Sequence, residues 1–306
     1  MNLISLKDWE TEDIVGVIEF ALAYKKSWQD WLDALKGQSL LMLFEKTSTR
    51  TRVSFESGMS KMGGHALYLD TKVSNLGLSE LKDEARYMTR NVDIIMARML
   101  RNANLVTLAD YSSVPVINGC CELFHPCQAL TDLMTIREVC GKWQGLSLTY
   151  VGMRNNVCNE LISAATRIGM RLFQVTPIEA PDKVVGQIDE QAKRTGNWVP
   201  TNDVREAVRN SDVVYTDTWV DMEFFGRPDR KEQNDQRIQA MMPYQVNSEL
   251  LALRPGIKVM HDMPMHPGYE ISRDAIENEN AIIFQQAENR MWLQNALMLK
   301  LLGKAG

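Results

Sequence analysis

The chain has 306 residues, of which 45% are hydrophobic and 24% charged, with a formal net charge of −5 at pH 7. That length suits two domains of about 150 residues, each with its own core. The acidic balance and the lack of any Lys/Arg-rich run argue against nucleic acid as the main partner, and no apolar run approaches membrane-spanning length.

Five cysteines (Cys120, Cys121, Cys127, Cys140 and Cys158) form no C-x-x-C pair. They suit reduced thiols better than a disulfide framework or a zinc site. The first residues have no apolar signal core, so the expected location is the cytoplasm. Helical spacing begins after Trp9, with Ile14, Ile18, Ala21 and Leu22 on one face. A second short helix is expected over 28–35, stopped by Lys36-Gly37. The apolar run 40–44 has the length of a buried parallel strand. It feeds the polar turn Glu45-Lys46-Thr47-Ser48-Thr49-Arg50-Thr51-Arg52, after which apolar residues recur at helical spacing to Met62.

Next come a strand over 65–69, a polar loop over 71–79, a helix over 81–88, a strand over 92–97 that delivers Arg98, and a strand over 114–119. A long helix over 126–140, ended by Gly141, marks the expected boundary between a domain of residues 1–135, completed by a terminal helix at 286–306, and a domain of residues 136–285. Beyond it the alternation restarts, with strands over 146–152, 172–175, 213–217 and 257–260 and helices over 156–168 and 204–208. The charged stretch 222–236 reads as a surface loop running into a helix. The terminal helix over 287–302 carries Leu293, Ala296, Leu297 and Leu301 on one face and Arg290 in its first turn. The expected fold class is α/β, with two doubly wound parallel-sheet domains linked by long helices.

Polar clusters sit where strands end, the edge at which open parallel sheets bind ligands. Ser48 to Arg52 crowds hydroxyls and guanidinium groups at a helix start, where unpaired N–H groups and the helix dipole favour an anion. Forked arginine donors match phosphate oxygens. Other clusters are Arg98, His125-Pro126-Cys127-Gln128, Gly152-Met153-Arg154-Asn155-Asn156, Asp217-Thr218-Trp219, His261-Asp262-Met263-Pro264 and Arg290. Taken singly, His125 can cap a helix, Asn155-Asn156 can form a turn, Asp217 can end a strand and Arg290 can be a solvated charge. Nicotinamide chemistry lacks its signature, because no G-x-G-x-x-G follows the first strand and 152–156 holds one glycine. No Walker-type loop is present either.

In their order and spacing, Ser48-Thr49-Arg50-Thr51-Arg52, Arg98, His125-Pro126-x-Gln128 and Arg290 resemble the carbamoyl-phosphate site of the aspartate/ornithine transcarbamylase family. Phe124 to Leu130, Arg154-Asn155-Asn156, Tyr215 to Val220, Pro243 to Asn247 and Ala287 to Arg290 are closer to its ornithine branch. The resemblance implies transfer of a carbamoyl group from carbamoyl phosphate to an amino-acid amine, with no cofactor and no metal.

Phosphate would be held by Ser48, Thr49, Arg50 and Thr51, with Arg52 supporting the turn. Thr51, Arg98 and His125 would be oxyanion donors. Gln128 and the backbone near Met263 and Arg290 would accept from the carbamoyl NH₂. Asn75 and Lys82 would come from a neighbouring subunit, which implies a homotrimer. A catalytically weak carbamoyl-phosphate-binding regulator is the alternative, since a fold can outlive its activity.

The departures from the ornithine branch concentrate on the acceptor side. Asp262-Met263 stands where that branch has Cys-Leu, Asp221-Met222-Glu223 where it has Ser-Met-Gly, and the turn before Arg154 is one residue short. Ser74-Asn75 replaces its usual glutamine in the lent loop. The expected acceptor residues are Asn155 and Asn156 for an α-carboxylate, Asp217 for an α-ammonium, and Asp262 beside the attacking amine. Asp221 and Met222 flank them, and Arg154 would reach an acidic group on the substrate or pair with Asp221. These departures suggest an amine other than plain ornithine.

Overall fold

The computed structural model describes residues 1–220 and 224–305, so Asp221 and Met222 lie outside the described residues. The chain divides into two compact units, Met1–Glu138 with Glu288–Gly306, and Val139–Ala287.

In the first unit, helix α1 (Thr11–Lys26) buries Ile14, Val17, Ile18, Ala21 and Tyr24, with Leu22 only half-buried. The segment after it is a single 3₁₀ turn, Trp28–Trp31, and not the expected helix. None of its four residues is buried, so no apolar face anchors a longer helix. Strand β1 (Ser39–Phe44), helix α2 (Thr49–Lys61), strand β2 (His65–Asp70), helix α3 (Leu81–Met88), strand β3 (Ile94–Arg98), helix α4 (Asn102–Asp110), strand β4 (Val116–Cys120) and helix α5 (Pro126–Cys140) follow. The strands form a parallel sheet in the order β2-β1-β3-β4. The chain leaves β1 toward β2 on one side and returns to β3 on the other, so the reversal of strand order falls between β1 and β3.

In the second unit, β5 (Ser147–Val151), α6 (Asn156–Arg167), β6 (Arg171–Val175), α7 (Gly186–Thr195), β7 (Trp198–Pro200), α8 (Val204–Arg209), β8 (Val213–Thr216), α9 (Lys231–Met241), α10 (Ser248–Leu251), β9 (Lys258–His261) and α11 (Arg273–Ile276) give a parallel sheet in the order β7-β6-β5-β8-β9. Here the reversal falls between β5 and β8. Val151, Val175, Val214, Val259, Ile271 and Ile283 are among the residues of one core cluster behind these strand ends.

Helix α12 (Ile283–Leu301) begins four residues before the expected start. Arg290 therefore lies in its interior rather than its first turn. Residues 292–299 are buried without exception, Gln294 and Asn295 included, so this stretch is enclosed and not amphipathic. No helix among the described residues is long and apolar enough to cross a membrane.

Candidate functional sites

The first site assembles at the C-terminal ends of β1, β3 and β4, three adjacent strands of the first unit. Ser48 is the N-cap of α2. Its backbone is extended (φ −161°, ψ 110°) and its side chain accepts the Thr51 N–H at 3.3 Å. The same hydroxyl donates to Thr51 Oγ1 at 3.1 Å. Thr49 is exposed and Arg50 half-buried in the first turn, while Thr51 faces inward and is buried. Arg52 turns outward, stacking 3.9 Å from the Tyr68 ring centroid and bonding Glu56 at 3.0 Å. Both contacts tie the start of α2 to its own next turn and to β2.

Arg290 reaches this turn with its side chain. Nη2 donates to Thr51 Oγ1 at 3.0 Å and Nη1 to Gln128 Oε1 at 2.9 Å. Its backbone carbonyl lies within the run of α12, while its guanidinium, which can only donate, holds the Gln128 amide and the Thr51 hydroxyl in place. Arg98, the last residue of β3, points Nη1 at the Gly119 carbonyl from 3.5 Å. His125, just ahead of α5, is buried. Burial above all, then the positive charges of Arg290, Arg98 and Lys46, holds its imidazole well below the usual 6.5. The ring is therefore a neutral donor at physiological pH.

Arg98 Nε and His125 Nδ1 are buried and find no hydrogen-bond partner among the described residues. Lys46 joins this cationic group although sequence reasoning had not singled it out; its signal is its place two residues ahead of Ser48. Asn75 is exposed, and Lys82 bonds Glu80 at 2.6 Å.

The second site lies in the other unit, at the ends of the adjacent strands β5, β8 and β9. Asn155 caps α6 by accepting the Cys158 N–H at 2.9 Å, and its Oδ1 also faces the Tyr150 hydroxyl at 3.1 Å. Its amide nitrogen then donates to Asp217 Oδ2 at 2.5 Å. Asp217 Oδ1 accepts the Thr218 N–H at 2.6 Å. Asn156 turns its amide oxygen to the Val157 N–H at 2.9 Å. Asp262 follows β9, and a carboxylate oxygen of Asp217, one of Asp262 and a ring nitrogen of His261 lie within 4.8 Å of one another. Burial first, then these two carboxylates among others, pushes the Tyr150 hydroxyl well above 10. Two carboxylates so close to one another favour a cationic ligand.

His261 is committed elsewhere. Its Nδ1 accepts the Met263 N–H at 2.9 Å, which leaves the proton on Nε2, facing Glu270 Oε1 at 3.1 Å. Met263, with φ 59°, is thereby tied to the end of β9.

Arg154 departs from expectation. It is buried, bonds Asp189 at 2.5 and 3.3 Å and holds Asn159 Oδ1 at 3.1 Å. Its charge is met inside this unit by Asp189, a partner the sequence did not suggest, while Asp221 lies outside the described residues. The reason is local: Asp189 sits in the first turn of α7 and meets the guanidinium there.

Glu270 is the buried anchor of this end of the unit. Burial alone would raise its carboxyl, but hydrogen bonds from His261 and His266 outweigh that and hold it at about 2 against the usual 4.5. A carboxyl depressed by folding contributes stability that is complete above pH 4.5 and fades as pH falls toward 2; here the contribution is of order 3 kcal/mol. Glu270→Gln is expected to destabilise the protein by about 2–3 kcal/mol at pH 7 and by roughly half as much near pH 3. Denaturant unfolding at the two pH values checks this, and a penalty independent of pH contradicts it.

Comparison with known proteins adds family and fold. Residues 1–138 match the carbamoyl-P binding domain, and residues 144–301 the Asp/Orn binding domain, of aspartate/ornithine carbamoyltransferase. An ornithine carbamoyltransferase of Methanocaldococcus jannaschii is 40% identical over 303 residues, covering 97% of each chain. Another from Archaeoglobus fulgidus is 41% identical over 309 residues, covering 99% of this chain and 98% of its own. The solved ornithine carbamoyltransferase from Pyrococcus furiosus superposes with a TM-score of 0.91 at 38% identity, covering 99% of this chain and 97% of that one. The enzyme from Thermus thermophilus gives 0.86 at 33% identity, covering 98% of both.

Proposed function

The chain belongs to the aspartate/ornithine carbamoyltransferase family, and from that premise we propose that it carbamoylates ornithine, or a diamino acid built on the same plan, at the expense of carbamoyl phosphate. The observation that carries this reading is the cationic group at the ends of β1, β3 and β4. Arg98, Arg290 and Lys46 surround a neutral His125, and two buried N atoms there have no partner among the described residues. Buried positive charge with unspent donors calls for an anion with a polar body, which carbamoyl phosphate supplies.

The phosphate dianion binds Ser48, Thr49, Arg50 and Thr51 at the start of α2. The amine attacks the carbonyl carbon, a C–N bond forms, and the carbonyl oxygen becomes an oxyanion. Arg98, His125 and the Thr51 hydroxyl donate to it. The tetrahedral intermediate collapses with cleavage of the C–O bond to phosphate, which leaves with the proton lost by the amine. Gln128 Oε1 and the backbone at Met263 accept from the carbamoyl NH₂, while Arg290 fixes Gln128 and Thr51. No covalent enzyme intermediate is needed, so the enzyme's contribution is orientation and electrostatics.

In the second unit Asp217 pairs with the acceptor's α-ammonium and Asn155 and Asn156 lie at its carboxylate. Asp262 receives the proton that the attacking amine must shed to become nucleophilic. Asp221 and Met222, outside the described residues, complete the proposed set of acceptor residues. Asn75 and Lys82 act on the first site of a neighbouring subunit in a homotrimer. Exposed Val73 and Leu78, flanking Asn75, are apolar surface suited to burial against a second copy.

The test is initial-rate measurement at saturating carbamoyl phosphate over a panel of ornithine, N-acylated ornithines, shorter diamino acids, lysine, putrescine and aspartate, following ureido product. The expected result is the highest kcat/KM for ornithine or another α,ω-diamino acid. Preference for putrescine or aspartate overturns the acceptor assignment. Carbamoyl-phosphate binding without turnover of any amine favours the regulatory alternative.

A further inference from the structure

We propose that Asp132 is a positioning residue that locks the amide of Gln128, and so makes the first site selective for a carbamoyl group over another acyl group. The inference rests on the carbamoyl-phosphate reading above. Asp132 is fully buried one helical turn beyond Gln128 on α5, and its Oδ1 accepts Gln128 Nε2 at 2.8 Å. On its other side the amide presents Oε1 to Arg290 Nη1 at 2.9 Å.

A glutamine amide is nearly symmetric in shape, so its partners alone decide which end is oxygen. Here the two partners have opposite polarity. Flipping the amide would set NH₂ against a guanidinium and oxygen against a carboxylate, replacing two charge-assisted hydrogen bonds with two like-polarity contacts. The carboxylate thus fixes Oε1 on the side of Arg290. An amide oxygen has two lone pairs and Arg290 uses one, which leaves an acceptor for an N–H donor.

The same arm sets a donor one step further on. Thr51 Oγ1 accepts from Arg290 at 3.0 Å and from Ser48 at 3.1 Å, so the Thr51 hydroxyl proton must point away from both. Acceptor and donor side by side match an NH₂ and a carbonyl oxygen on one carbon. Acetyl phosphate has the same carbonyl and phosphate but carries a methyl where carbamoyl phosphate carries NH₂. Inorganic phosphate has neither group.

The experiment is equilibrium binding of carbamoyl phosphate, acetyl phosphate and inorganic phosphate to the wild type, Asp132→Asn, Gln128→Leu and the double variant. In Asp132→Asn the new side-chain amide can offer either of its own ends and no longer dictates the orientation of Gln128. The expected result is a preference of the wild type for carbamoyl over acetyl phosphate. Asp132→Asn should weaken carbamoyl phosphate by about tenfold and leave the other two within about twofold. In the Gln128→Leu background it should have no further effect on the ratio, as expected when two residues act through one contact.

Equal weakening of all three ligands, an unchanged ratio in a folded variant, or a full additional loss in the double variant overturns the inference. If Asp132→Asn does not fold, Asp132→Ser, which keeps a small polar group, is read by the same ratio. A wild type with no preference for carbamoyl phosphate overturns the functional reading, and the inference with it.

Discussion

Arg98→Met is expected to lower kcat by about 10²–10³, equivalent to about 2.7–4 kcal/mol, the usual loss when one oxyanion donor is removed. The side chain leaves the end of β3 with Nε unpartnered among the described residues and only a long 3.5 Å contact from Nη1 to Gly119. Little native structure depends on it, so the melting temperature should hardly move. KM for carbamoyl phosphate should change far less than kcat, because the negative charge on the carbonyl oxygen develops only as the amine attacks. Arg98 also helps to keep His125 neutral, and its removal lets the imidazole titrate closer to its usual 6.5. The acid limb of the kcat profile should therefore move upward in the variant. Steady-state kinetics over pH, with thermal melts as control, reads both effects. A kcat within tenfold of wild type would remove Arg98 from the reacting carbonyl.

The second large effect belongs to Asp217. Asp217→Asn keeps the size of the side chain and one oxygen, enough for one of its two present donors, the Asn155 amide on Oδ2 at 2.5 Å and the Thr218 N–H on Oδ1 at 2.6 Å. What it removes is the charge and one acceptor. Truncating one member of a buried charged pair costs about 2–5 kcal/mol, or roughly thirtyfold to several thousandfold in kcat/KM for the acceptor. Carbamoyl-phosphate affinity, to which Asp217 is not assigned, should stay within about twofold. Asp217 is also one cause of the high Tyr150 hydroxyl pKa, so the variant should lower that titration. Initial rates at saturating carbamoyl phosphate, with its affinity measured separately, separate the two sites. An unchanged acceptor kcat/KM would take Asp217 out of the amine's binding face.

The strands and their ends were legible because apolar runs such as Leu40–Phe44 and Val213–Thr216 are buried along nearly their whole length. Arg98 ends such a run, and Asp217 and Asp262 directly follow one. Helix α5 was equally plain, opened by Pro126 and closed by Gly141 at φ 76°. Several elements carry too little pattern to be read, among them α4, α7 and β7, and the four-residue helices α10 and α11. Helix α4 buries only Leu105 and Leu108, α7 only Ile188 and Ala192, and β7 is a three-residue edge strand ending in a proline.

Missing α7 concealed the partner of Arg154, since Asp189 is 35 residues away in sequence and belongs to that helix. Sequence placed Arg290 in a first turn because the polar stretch Gln285-Gln286 hides the continuity of α12 with Ile283. The role of Asp132 was out of reach for a different reason. A carboxylate one turn beyond Gln128 looks like an ordinary helix-face charge until Arg290 is seen on the other side of the amide.

The transfer itself is the most direct measurement. Carbamoyl phosphate labelled with ¹³C at the carbonyl is incubated with the protein and ornithine, and the carbon is followed by NMR while phosphate is counted. The expected result is a protein-dependent ureido carbon appearing mole for mole with phosphate, lost in Arg98→Met and Asp217→Asn. Phosphate released with the label recovered as carbonate, and no ureido carbon from ornithine or any other diamino acid, would contradict the account.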